Sequence, residues 1–149
     1  MANRTIYTRV YSKRSARRFV SGKGPRGDLL SDITLIEEFR NHAKWNREPT
    51  ALVSGSDRIV DTLQRAFDMR YGDDYRDGEP AADIWIAFIE VLPTIDEDAT
   101  RVYSVKELAE KCGLPEPNKF SHEVVFEWAI PEKYVVYKVS LQTLMKRGL

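Results

Sequence analysis

The chain has a single cysteine, Cys112, only two histidines, no acidic residue before Asp28, and no apolar run approaching about 18 residues. One cysteine excludes an internal disulfide and any multi-cysteine zinc site, and it fits a reducing compartment. Lying between Leu108 and Gly113 at the end of an expected helix, Cys112 reads as a small buried hydrophobe rather than a reactive thiol. His42 and His122 are too far apart, and too few with Cys112, for zinc-ligand spacing, so no metal is expected. The missing apolar run excludes a membrane-spanning helix. The first residues, Met1-Ala2-Asn3-Arg4-Thr5, lack the charged-then-apolar layout of a signal peptide. The expectation is therefore an intracellular, cytoplasmic protein, or a secreted one from which a leader has been removed. Internal repeats and low-complexity tracts are absent as well.

What is present is 149 residues, 42% hydrophobic and 31% charged, the composition of one soluble globular domain spanning 1–149. The zero net charge hides an asymmetry. Residues 1–27 carry Arg4, Arg9, Lys13, Arg14, Arg17, Arg18, Lys23 and Arg26 with no acid, whereas 68–98 hold ten acidic residues against Arg70 and Arg76. Such blocks steer an anionic ligand toward one side, or neutralise each other across the surface.

Alternation makes Ile6–Tyr11 a first strand, with Tyr7, Arg9 and Tyr11 on one face. Residues 12–20 can start a short basic helix, and 21–27, with three glycines and a proline, is loop. A helix is expected from the cap Ser31 to about Lys44, through Ile33, Ile36 or Leu35, Phe39 and Ala43. Pro49 stops it, and Thr50–Ser54 extends into Ser54-Gly55-Ser56. Ser56 is then placed to cap a second helix carrying Ile59, Val60, Leu63, Ala66, Phe67 and Arg70. Residues 71–82 form an acidic loop. The nearly unbroken apolar run Ile84–Leu92 reads as the sheet centre. Ser104 and Glu107 form a capping box and Gly113 a stop, giving a helix over 105–112 with a proline-rich exit at 114–118. From Glu123 to Ile130 the chain alternates, placing Glu123 and Glu127 on one face, Val124, Phe126, Trp128 and Ile130 on the other. A strand at Tyr134–Val139 and a helix capped by Ser140 close the chain. Interspersed strands and helices without a βαβ rhythm indicate an α+β fold with a mostly antiparallel or mixed sheet.

Three of these strand-like segments each carry one chemically distinctive residue: Arg9 in 6–11, Ser54 in 50–54 and Glu123 in 122–128. Strand-borne Arg, Ser and Glu in that order resemble the arginine–serine–glutamate pattern of ADP-ribosyltransferases, which cleave the nicotinamide–ribose bond of NAD. The layout also resembles a little-characterised group of fungal domains of that fold. The resemblance implies a single ADP-ribosyltransferase-like domain with a mixed or antiparallel split sheet and flanking helices. It implies NAD as substrate and Glu123, Arg9 and Ser54 as catalytic residues. Bond cleavage develops positive charge on the ribose, which a carboxylate fixed on a strand stabilises; that role falls to Glu123. Arg9 binds phosphate or ribose through its planar fork, and Ser54 orients the ribose or the glutamate. Ser56 joins Arg9 and Ser54 in binding NAD, as does Trp45, which is placed to cover the nicotinamide ring.

The sequence departs from the family at two points. Many arginine-modifying members carry an acid two positions before the catalytic glutamate, where this chain has Ser121, and the usual Ser-Thr-Ser reads Ser54-Gly55-Ser56. A catalytically inactive interaction domain on the same fold is thus the alternative. Each residue also has a plain structural reading: Arg9 an exposed strand residue between tyrosines, Ser54 a turn residue, Glu123 and Glu127 the solvated face of a strand. Trp85 and Trp128 read as core, His122 as tuning the site or capping the strand. Expected partners are NAD and a protein acceptor; the basic N-terminal stretch keeps nucleic acid as a lesser reading, and no membrane partner is expected.

Overall fold

The computed structural model describes residues 5–14, 18–43, 49–91 and 100–149. Along the chain run β1 (Thr5–Ser12), α1 (Asp32–Ala43), β2 (Leu52–Ser56), α2 (Ile59–Tyr71), β3 (Ile84–Val91), β4 (Val102–Ser104), α3 (Val105–Cys112), β5 (Glu123–Glu127), β6 (Val135–Ser140) and α4 (Leu141–Lys146). The strands are hydrogen-bonded in the order β4-β5-β2-β1-β3-β6, an α+β architecture. β1 pairs antiparallel with β2 and β3, β3 with β6, and β4 with β5. The apolar run expected at the sheet centre is β3, which instead lies next to the edge strand β6. Its apolarity follows from cover on both faces, since Ile84, Ile86, Ala87 and Ile89 are all fully buried. Contacts divide the chain into two compact units, one of residues 1–18, 55–93 and 133–149, the other of 19–54 and 94–132.

In the first unit α2 lies on β1 and β3. Thr8 Oγ1 and Thr62 Oγ1 are 2.6 Å apart, and Ala66 joins Ile84, Ile86, Val139 and Leu141 in a core that Val10, Leu63 and Phe88 pack against. Alternation then turns Tyr7, Arg9, Tyr11, Trp85 and Ala87 to the opposite face. In register, Arg9 lies opposite Ala87 and Ala87 opposite Lys138, with Tyr11 beside Trp85 one step along. Trp85, expected in the core, is 37% exposed on that face, although Tyr11 and Ala87 beside it are buried. Ser56 does not cap α2. β2 continues through it, so its hydroxyl accepts from Arg58 N at 3.1 Å and donates to Arg58 O at 3.2 Å, while Arg58 holds the cap position without a capping bond from its side chain, which pairs with Asp61 instead.

The second unit packs α1 and α3 on strand residues of β2 and β5, with Leu35, Phe39, Leu52, Val105, Leu108 and Val125 in one core. Ser31 and Ser104 cap as expected: Thr34 N donates to Ser31 Oγ at 3.2 Å and Glu107 N to Ser104 Oγ at 3.3 Å. Gly113, at φ 70, ends α3 in the left-handed conformation its missing Cβ permits. Of the two phases considered for α1, the Leu35 one is realised; Ile33 is 75% exposed. β4 was not anticipated; it places Tyr103 opposite Val125. β5 stops at Glu127 rather than continuing to Ile130, because Trp128 turns to φ 66. There Trp128 N donates to Ala51 O at 2.7 Å and Ser21 N to Trp128 O at 2.7 Å. The short basic helix considered for 12–20 does not form at the described positions: Lys13, Arg14, Arg18 and Phe19 are turn, and Val20 is drawn into a bridge with Ala129. Among the described residues no helix is long and apolar enough to cross a membrane.

Candidate functional site

Leu52 belongs to the core beneath α1 and α3, and Ser54, two residues on, shares its face of β2. Val125 belongs to the same core, so Glu123 and Glu127 share that face on β5, the strand next to β2. Ser54 and Glu123 therefore project from one side of the second unit's sheet. The Ser54 hydroxyl is held: His42 Nε2 lies 2.6 Å from Ser54 Oγ, and His42 Nδ1 lies 3.0 Å from Thr50 Oγ1. A neutral imidazole donates through one nitrogen and accepts through the other, so the ring fixes the orientation of both hydroxyls. His42 stands in the last turn of α1, and one turn earlier Glu38 anchors the helix. Glu38 Oε2 accepts from Ala51 N at 3.1 Å, and Oε1 pairs with Lys23 Nζ. Sequence reasoning missed His42. The available signal was its place three residues after Phe39, a polar side chain on the buried stripe of an amphipathic helix.

The two glutamates of β5 have different surroundings. Glu127, for which a solvated face is the plain alternative reading, is buried; its Oε1 accepts from Leu30 N at 2.9 Å and from Tyr103 OH at 3.2 Å. Tyr103 of β4 and the backbone at Leu30 close on it. Burial foremost, with Glu127 adding to it, raises the Tyr103 phenol above its ordinary pKa against an opposing hydrogen bond with Arg101. Glu123, half-buried at the first position of β5, is the more accessible carboxylate of the pair.

The other expected residues fall elsewhere. Arg9 belongs to the first unit, where its Nε donates to Arg18 O at 2.8 Å. Burial of the guanidinium, then repulsion from Arg65, lowers its pKa to about 10. Ser56 is the register partner of Thr8. Trp45 lies outside the described residues.

The family model described as "Domain of unknown function (DUF7587)" matches residues 4–144. The chain belongs to that family. No curated protein matches it. Among solved structures, EcPltA is similar to this DUF7587 chain with a TM-score of 0.55 at 15% identity, over 91% of this chain and 75% of EcPltA. At that identity the likeness is one of fold.

This DUF7587 chain also carries a cleft of about 350 Å3 within its first unit, at the far end of β1. It is lined by Tyr11 and Lys13 from β1 and the turn after it, by Arg18, by Asp83 and Trp85 where β3 begins, and by Lys138 of β6.

Proposed function

We propose that the protein cleaves the nicotinamide–ribose bond of NAD, as an ADP-ribosyltransferase or an NAD glycohydrolase. The observation that supports this most is the Ser54 hydroxyl, tied to His42 Nε2 at 2.6 Å on the sheet face that also bears Glu123. The order of Arg9, Ser54 and Glu123 along the chain favours the same reading.

As the C–N bond breaks, its electron pair leaves with nicotinamide and positive charge develops at the ribose carbon. The Glu123 carboxylate stabilises that charge, and water or a nucleophile of a protein acceptor then attacks. Ser54, its proton direction set by His42, orients the ribose. The resemblance implies Arg9 for the phosphates and Ser56 for a further polar contact. The test is nicotinamide release at millimolar NAD. Glu123→Gln is expected to lower turnover by about 10²–10³ with an unchanged melting temperature; undiminished turnover in that variant would overturn the assignment.

A second reading, a catalytically inactive interaction domain, is favoured by the internal engagement of the Ser56 hydroxyl and of Arg9 Nε. Absence of any thermal shift with NAD would select it, because a ligand of the native state must stabilise that state.

A further inference from the structure

We propose that the cleft at the end of β1 binds one nucleotide unit of a single-stranded nucleic acid. Three cations from separate parts of the chain, Lys13, Arg18 and Lys138, line it against a single carboxylate, Asp83. The indole of Trp85 lines it too, 37% exposed where a side chain of that size is ordinarily covered. Strand register puts Trp85 and Lys138 on the same face: Tyr11 pairs with Trp85, Trp85 with Ser140, and Ala87 with Lys138. Arg18 is held from behind, its carbonyl accepting from Arg9 Nε at 2.8 Å, and its charge opposes the rise that burial gives the Tyr11 phenol.

A simple anion has no use for the indole, and an apolar ligand has none for the cations. A nucleotide uses both, stacking its base on the aromatic ring and setting phosphate among the cations. Asp83 fixes the polarity of that pose, since it repels phosphate and accepts from a sugar hydroxyl or a base amine. A cleft of about 350 Å3 suits one nucleotide. A strand is favoured over a free nucleotide because the three lining cations outnumber the single phosphate of one nucleotide unit, so the excess charge meets the neighbouring phosphates of a strand. The inference does not rest on the NAD chemistry.

The experiment is fluorescence anisotropy of the full chain with a labelled single-stranded oligonucleotide of about ten nucleotides. Binding is expected to fall with salt at a logarithmic slope of about −2, the value for three cations on a single strand. Trp85→Ala is expected to weaken it about tenfold or more, with Trp85→Phe restoring most of the loss, and Lys138→Gln to flatten the slope by about 0.7. Nicotinamide release from NAD, measured on the same variants, should not change, so failure of either proposal is visible separately. No binding at low salt, equal affinity in Trp85→Ala, or displacement of the strand by adenosine monophosphate at matching affinity would overturn the proposal.

Discussion

Two hydroxyls share the ring of His42, and the geometry constrains what its removal does. In His42→Ala, Ser54 loses a partner at 2.6 Å and Thr50 one at 3.0 Å, yet α1 keeps its Glu38 anchor and its Leu35–Phe39 stripe. The expected result is NAD turnover reduced about 10–10²-fold with stability lowered by only about 1 kcal/mol, read by nicotinamide release and thermal melting. Tyr103→Phe acts in the opposite sense. It removes a donor from the buried Glu127 carboxylate, and about 1–3 kcal/mol of stability should be lost in denaturant titration. Arg9 is a third case. Its folded pKa, about 10, lies below the ordinary guanidinium value, so the fold disfavours the charged form. That penalty is fully present below about pH 10 and lifts as pH rises from there toward the ordinary guanidinium range. At neutral pH, Arg9→Met should therefore melt within about 1 kcal/mol of the parent while losing the proposed NAD activity.

At the scale of elements, strands and helices with strong local signals were legible: the alternation of β1, the apolar β3, and the capped α1 and α3 all appear close to their expected bounds. What was not legible was decided by tertiary contact. β4 is three residues long and gains its register only from β5, so no local pattern announces it. Ser54-Gly55-Ser56 reads as a turn, but Ser56 is held extended opposite Thr8. β5 ends because Trp128 turns left-handed to meet Ala51 and Ser21, while its indole donates to Asp28 O at 3.0 Å. The same indole closes over Gly27, where an added Cβ would lie 2.0 Å from Trp128 Cζ2. Gly27→Ala should therefore cost about 1–3 kcal/mol, measurable by urea unfolding, with near-ultraviolet circular dichroism reporting the displaced indole.

At the scale of the whole molecule, strand order was beyond local reasoning, because pairing joins distant segments: Thr5 with Val91 and Ser12 with Ile84. Chain closure on that scale must precede the contacts that reward it, so refolding in stopped-flow should fall in the millisecond-to-second range of non-local topologies. The candidate site was legible in part. Arg9, Ser54 and Glu123 stood out as polar residues on strands, whereas His42 acquires its meaning only from where α1 comes to rest. One carboxylate governs that resting place. Glu38 ties the loop through Lys23 and the start of β2 through Ala51, one helical turn before the imidazole. Rotation of α1 about its own axis is thereby locked, and the aim of the ring at Ser54 is inherited from a residue that never touches it. Variation at Glu38 should thus surface as drift in the His42–Ser54 geometry before it surfaces as unfolding.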